Sequence, residues 1–400
     1  MSVATEALAP ADEAGIVEAV REAAASRTPL AIEGHGSKRG MLRPVQAGRT
    51  LSTAGLTGIT LHKPAELVLS ARAGTPVAEI EAALARHNQM LAAEPPDFSV
   101  LSGHDRPATL GGMVAASLSG PRRIAASGAL RDQVLGLRAV TGRAEVIRSG
   151  GRVHKNVTGL DLCKLLAGSH GTLGVLTEIT LKLAPRPEAG LTLAVGVADL
   201  AAGVAALSTG LGSPFGVTGA ALLPRGMAEL GLSGPTALLR LEDMAQFLPH
   251  RAGRLRQDLA GFGAVTLVEG EASQALWRAV RDARPLQAAP EDAVWRLSVK
   301  PSAGPAVARR LEEAFGARML LDWGGGLVWA AGPATDAAHA AVMAAAQAAG
   351  GTFLLFRAPD SLRSAVPVLP EEPPALAGIA ARVKAAMDPE GLLNPGRLRG

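Results

Sequence analysis

An α+β fold in two units is what this sequence predicts, and three observations carry it. Residues 1–186 alternate helix-sized and strand-sized segments joined by glycine-bearing loops. After the stretch Ala184-Pro185-Arg186-Pro187 the texture changes to short apolar strands separated by alanine-rich helical stretches. The composition, 48% hydrophobic and 19% charged over 400 residues, is that of a folded chain too long for one small core.

Taken in order, residues 12–26 place Ile16, Ala19, Val20 and Ala23 on one stripe and predict an amphipathic helix. Residues 28–33 read as a short buried strand ending in a glycine loop, and 66–74 as a second strand. Pro76 then opens a helix over 77–88. Residues 136–142 and 144–151 suggest a hairpin turning at Gly142-Arg143, and 175–185 alternates like an exposed edge strand stopped by Pro185. Beyond it, 191–197, 236–242, 264–269, 293–299, 327–332 and 352–357 are strand candidates, with helices over 273–283 and 335–349. They predict a second unit with a largely antiparallel sheet. A proline-bearing connection (359–371), a last helix (375–387) and a turn-rich close follow. The expected division is 1–186, 187–370 and 371–400.

Several function classes are excluded at this point. The net charge of +4 is spread thinly, with no basic run to grip nucleic acid. No apolar stretch is long enough to cross a bilayer, and the opening residues show no basic-then-apolar signal, so a cytoplasmic protein is expected. Cys163 is the sole cysteine, which rules out an internal disulfide and an iron–sulfur cluster of this chain's own. It falls on an apolar helix face and reads as a buried structural thiol. No metal site is expected. Redox chemistry here therefore requires a bound organic cofactor.

Three loops carry the candidate chemistry. Gly34-His35-Gly36-Ser37-Lys38-Arg39-Gly40 follows a strand, and glycine lets successive N–H groups converge on a phosphate. Its G-x-G-x-x-x-G spacing, with no helix after it, fits neither the Rossmann nor the Walker pattern. The second stretch holds Pro95-Pro96-Asp97, Thr109-Leu110-Gly111-Gly112-Met113-Val114-Ala115, Gly120-Pro121-Arg122-Arg123, Gly128, Arg131 and Asp132. Its Gly-Gly pair opens a helix whose free N–H groups suit a diphosphate. The third, Gly168-Ser169-His170-Gly171-Thr172-Leu173-Gly174-Val175, is a tight loop feeding a strand. Singly, each reads equally well as a turn.

Jointly, their order and spacing resemble the FAD domain of the vanillyl-alcohol-oxidase superfamily, with its G-x-G-S/T loop, T-L-G-G-x-x-A helix and G-T-L-G-x-x-T strand. The resemblance covers roughly 28–186 and implies a PCMH-type two-subdomain FAD-binding domain plus an α+β cap domain. It assigns FAD contacts to Gly34, His35, Gly36, Ser37 and Lys38, to Thr109, Leu110, Gly111, Gly112 and Ala115, and to Gly171, Thr172, Gly174 and Val175. Pro96, Arg122, Gly128 and Asp132 are counted with them. Some relatives hold FAD covalently through a histidine directly after the second glycine; Ser37 stands there, so non-covalent FAD is expected.

Within the superfamily, the first loop, Gly120–Arg123, Asp322-Trp323-Gly324-Gly325 and the closing Asn394-Pro395-Gly396-Arg397 look like the FAD-binding subunits of bacterial glycolate oxidases. This implies that the closing segment folds back onto the FAD domain, bringing in Asn394. It also implies glycolate oxidation together with a catalytic flavin subunit and an iron–sulfur subunit, with any attachment at the inner membrane made through those partners. A 2-hydroxy acid needs a cation for its carboxylate and a base for its hydroxyl proton. The histidine segment H-x-G-D-G-N of catalytic relatives is absent, and His250 and His339 fall in surface-like helical contexts. Arg296 and Lys300 are the candidate cations, sharing with Ser298 one side of a strand that either faces the flavin or is a solvent-facing edge, while Asp322, Trp323 and Trp329 flank a glycine turn beside them or serve as core aromatics. Two other readings stay open: a self-sufficient FAD oxidase of another substrate, and a non-catalytic assembly subunit.

Overall fold

The structure, a computed structural model, describes residues 6–102, 104–125, 128–151 and 160–399. The signal-free reading of the first five residues lies outside them. Three sheets organise the chain. A parallel sheet pairs Glu6–Leu8 and Leu30–Glu33 with Arg49–Ser52 between them. The helix Glu13–Ser26, capped by Asp12 Oδ1 accepting from Gly15 N at 2.8 Å, buries the expected Ile16, Ala19, Val20 and Ala23. These pack with Leu30, Leu51, Leu392 and Leu393.

A five-stranded antiparallel sheet follows, in the order Ile59–Lys63, Val68–Arg72, Val175–Lys182, Val134–Val140 and Val146–Gly150. The hairpin expected at Gly142-Arg143 forms its edge. The strand expected at another edge does not: Val175–Lys182 lies at the centre. Its alternation misleads because the polar positions are buried and paired. Thr180 Oγ1 and Ser70 Oγ are 2.8 Å apart, and Thr177 Oγ1 donates to Glu13 Oε2 at 2.6 Å. Cys163, on the short helix Leu162–Leu166, is buried, and burial pushes its thiol pKa up.

The third sheet has eight strands, in the order Val265–Glu269, Ala189–Gly196, Thr236–Asp243, Val217–Leu223, Arg318–Asp322, Leu327–Gly332, Ala293–Ser298 and Thr352–Arg357. Every neighbouring pair is antiparallel. Six of these were legible in the sequence. Val217–Leu223 and Arg318–Asp322 were not, although they meet at the sheet's middle through Leu222 and Leu321. One face is apolar and helix-covered: Leu239 lies under Gly210, and Trp295 Nε1 donates to His339 Nδ1 at 3.1 Å. His339 is thus buried, not solvated as its helix suggested; it is the polar partner of a buried indole.

The other face carries Arg240, Glu242 and Arg296 toward the first unit. Arg240 donates to both Glu94 oxygens at 2.8 Å. Arg122 pairs with Glu94 and Glu242, and Trp323 Nε1 donates to Gly120 O at 3.1 Å. The last segment returns to the start: Leu30 N donates to Leu392 O at 2.8 Å and Asn394 N to Leu30 O at 3.0 Å. Among the described residues no helix is long and apolar enough to cross a membrane.

Candidate cofactor site

The return of the chain end closes a cavity of about 780 Å³ between the parallel sheet, the helix Leu110–Ala116 and the loop at 168–174, within the roughly 300–1,000 Å³ range of cofactor sites. Of the residues the sequence assigned to FAD, Gly34, His35, Gly36, Ser37, Lys38, Thr109, Gly111, Gly112, Ala115, Gly171, Gly174 and Asn394 line it. Three segments far apart in sequence therefore meet as expected.

The first loop supplies the donors. Gly36 takes φ +76°, a conformation that disfavours side chains, and turns the chain so that the N–H groups of His35, Gly36, Ser37 and Lys38 make no hydrogen bond among the described residues. Gly34 is needed for closeness: a Cβ there would lie 2.3 Å from Thr109 Oγ1. The buried Nδ1 of His35 has no partner among the described residues. The helix start behaves otherwise than its Gly-Gly sequence implied. Leu110 N donates to Thr75 O at 2.9 Å, Gly111 N to Ala73 O at 2.7 Å and Gly112 N to Thr109 Oγ1 at 3.2 Å. Its N–H groups are spent on the fold, and its small residues only let a ligand come close.

Positive charge exceeds its local partners: Glu33 pairs with Arg39 and Asp360 with Arg363. Lys38 forms no ion pair among the described residues, and its Nζ reaches only Ser37 Oγ at 3.4 Å. Burial pushes its pKa down to about 8, against a small opposing pull from Asp97. Arg397 donates to the carbonyls of Lys38, Arg39 and Arg43, and burial brings it down to about 10. His170 is held near 3, by burial first and then by Arg397 and Lys38. An orphaned imidazole nitrogen, a half-buried ammonium with no ion pair and a run of free N–H groups, all among the described residues, fit the diphosphate of a dinucleotide.

The closing segment serves as a latch. Asn394 Oδ1 accepts from Ile32 N at 2.7 Å while its Nδ2 donates to His170 O at 2.8 Å. One side chain thus ties the first strand to the third loop. His170, Arg397 and Arg363 line the cavity but were not assigned to it from sequence. The first two sat inside motifs already singled out, so residue type in those loops was the available signal.

Other assignments fall outside the main cavity. Pro96 lines two smaller neighbouring cavities, of about 20 and 130 Å³, that also touch Lys38. Leu110 and Val175 are core residues. Arg122 belongs to the network with Glu94 and Glu242, and Thr172 Oγ1 donates to Ser169 O at 2.7 Å to fix its own turn. Gly128, at φ +67°, and Asp132, which accepts from Ala129 N at 3.3 Å, shape a short helix start.

The candidate cations separate. The strand bearing Arg296 ends at Ser298, so Lys300 is exposed before a single helical turn and shares no face with Arg296. Arg296 lies over Trp323 and Trp329, 4.8 and 5.7 Å from their ring centroids. Burial pushes Arg296 down to about 10 and the buried Asp322 up to about 7. Neither cation lines the 780 Å³ cavity. Among the described residues no cluster of histidine, cysteine or acidic side chains could hold a metal.

Comparison with known proteins agrees with this geometry. Residues 5–150 match a family described as an FAD binding domain. The chain is 36% identical over 384 residues, 96% of each chain, to the glycolate oxidase subunit GlcE of Escherichia coli K12. This chain belongs to the GlcE family of glycolate oxidase subunits. FAD is its cofactor. A further relative, the glycolate oxidase subunit GlcD of Bacillus subtilis, shares 41% identity over 99 residues, a quarter of this chain. In fold, the GlcE-family chain matches 4-ethylphenol oxidase from Gulosibacter chungangensis with a TM-score of 0.73 and 14% identity, over 98% of this chain and 88% of that one. The likeness confirms the PCMH-type α+β architecture.

Proposed function

We propose that this chain is the FAD-binding subunit of a glycolate oxidase complex, an oxidoreductase acting on the CH–OH group of glycolate or a close 2-hydroxy acid to give glyoxylate. The observation that carries the reading is the full-length relation to a glycolate oxidase subunit, joined to a cavity in which Lys38 has no ion-pair partner among the described residues. FAD, when bound, supplies the two-electron acceptor. The N–H groups of His35, Gly36 and Ser37, with Lys38, would hold its diphosphate, and Asn394 would keep the first and third loops at the spacing the cofactor needs. The flavin is held without a covalent bond: acid precipitation should leave a colourless pellet and a yellow supernatant.

A catalytic flavin subunit and an iron–sulfur subunit complete the complex in this reading. The lone cysteine supports it, since electrons leaving FAD need cluster ligands this chain does not have. The complex would be cytoplasmic, meeting the inner membrane only through those partners. No histidine of the eight-stranded unit lines the cavity among the described residues, which favours shared chemistry over a self-sufficient oxidase. The test is an absorption spectrum of the purified chain, then glycolate added anaerobically, alone and with the partner subunits. Yellow protein that bleaches with glycolate in the assembled complex supports the reading; a colourless chain that takes up no FAD refutes it.

A further inference from the structure

Where the turn at Gly120–Arg123 meets the polar face of the eight-stranded sheet, two guanidinium groups converge on one indole. Arg123 lies 4.5 Å and Arg296 4.8 Å from the ring centroid of Trp323. Neither guanidinium makes an ion pair or hydrogen bond among the described residues. The nearby carboxylates are otherwise engaged: Glu94 and Glu242 hold Arg122 and Arg240. Asp322 accepts from Trp323 N at 2.7 Å and comes within ion-pair distance of neither free arginine. The local ledger is two arginines matched by two glutamates, then two further arginines facing a single buried aspartate. Like charges held this close without an anion are unfavourable, and an incoming carboxylate relieves them.

The group is open to a ligand. Arg123 is exposed, and Arg296 and Trp323 are half-buried. Trp329 forms the inner wall, and its ring meets Phe98 and Phe356 at 5.5 and 5.1 Å. Those two phenylalanines line the small cavity that reaches Lys38 and Ser37 of the cofactor loop. The arginines are thus joined to the cofactor site through one layer of aromatic rings. A guanidinium fork matches a carboxylate in two parallel hydrogen bonds, and indole faces suit the carbon atoms of a short acid.

We propose that Arg296, Arg123 and Trp323 form a binding site for the carboxylate of a small 2-hydroxy acid, with Arg296 as its principal cation. This deepens the glycolate reading and rests on it. Lys300 has no part in the site.

The experiment uses the FAD-loaded chain and follows tryptophan fluorescence during titration with glycolate and, separately, oxalate. A saturable change is expected, and Trp323→Phe should remove it. Arg296→Ala should weaken binding roughly tenfold to a hundredfold, Arg296→Lys should recover part of that, and Arg123→Ala, at an exposed position, should weaken it by roughly fivefold at most. Flavin absorbance and melting temperature are recorded for each variant. Unchanged flavin content with lost glycolate binding supports the proposal, whereas lost flavin with retained glycolate binding counts against the cofactor reading alone. Glycolate affinity in Arg296→Ala equal to wild type overturns it. So does loss of partner co-purification in Arg296→Lys and Arg123→Ala with glycolate binding intact, which would make the stack a protein interface.

Discussion

Two clusters of basic side chains in this molecule behave in opposite ways. At the seam between the units, Arg122 and Arg240 are closed off by Glu94 and Glu242; Glu94 is held near 2 by its arginines despite burial, and Arg240 is raised. Around the cofactor cavity, the half-buried Lys38, the buried Arg397 and the half-buried, neutral His170 lie together, and every one is pushed down. The first set is complete within the chain and clamps the units together. The second is complete only when something anionic arrives. Buried charge by itself therefore says little about function; whether the chain supplies the counter-charge separates a clamp from a receptor.

The sharpest way to break the comparison is Glu94→Ala. It leaves two buried guanidinium groups to share Glu242 alone and should lower unfolding free energy by about 3–5 kcal/mol, read by denaturant titration of the apo chain. A loss below about 1 kcal/mol would put the seam with ordinary surface pairs. Next in size is acid sensitivity. Glu94 is depressed in the fold, so its stabilisation is present above 4.5 and is lost as pH falls toward 2. His170 is also depressed: the unfolded chain takes up its proton below about 6.5, so apo stability begins to fall there and continues to about 3. A bound diphosphate offsets Arg397 and Lys38, the lesser causes after burial, and so eases protonation of His170 in place. FAD-loaded protein should therefore lose less stability than apo protein between those pH values, and parallel curves would contradict this account.

Lys38→Met tests the receptor side. It should weaken FAD by roughly tenfold to a hundredfold, measured by flavin fluorescence, while leaving the apo chain as stable or more so. In the wild type, FAD affinity should fall as pH rises past about 8, where unliganded Lys38 loses its proton. Lys38→Arg should abolish that dependence. The smallest effect concerns the helix start. Thr109→Ala removes a cap and should lower stability by about 1 kcal/mol, with FAD affinity changed by less than about threefold because the first-turn N–H groups are already bonded. A loss as large as that of Lys38→Met would return the anion site to that helix.

How much of this could be read beforehand follows from how local each signal is. The stripe of Ile16, Ala19, Val20 and Ala23 needed only helical periodicity, and it matches the buried face residue for residue. The loops at 34–40, 109–115 and 168–174 were visible as glycine patterns, and twelve of the assigned residues meet at one cavity. What failed depended on distant partners. Val175–Lys182 was taken for an edge because Glu13 and Ser70, which satisfy its threonines, lie 164 and 110 residues away. Val217–Leu223 was hidden by its small residues Gly219, Ala220 and Ala221, which carry no strand signature yet fit beneath Trp277 and the neighbouring helix. The free-donor reading of the Gly-Gly helix failed because Ala73 and Thr75, which take up its N–H groups, belong to another segment.

The latch at Asn394 also fixes a schedule. Its partner at Ile32 is made 362 residues earlier, and the strand at 30–33 gains its outer neighbour only when Leu393 arrives. During synthesis the first loop exists long before the wall that completes its cavity, so a cavity of this shape cannot close until residues 392–394 have emerged. If the latch is what holds the flavin, a nascent chain stalled before that point should carry the glycine loops yet remain colourless, so flavin uptake would report that the chain has reached its latch.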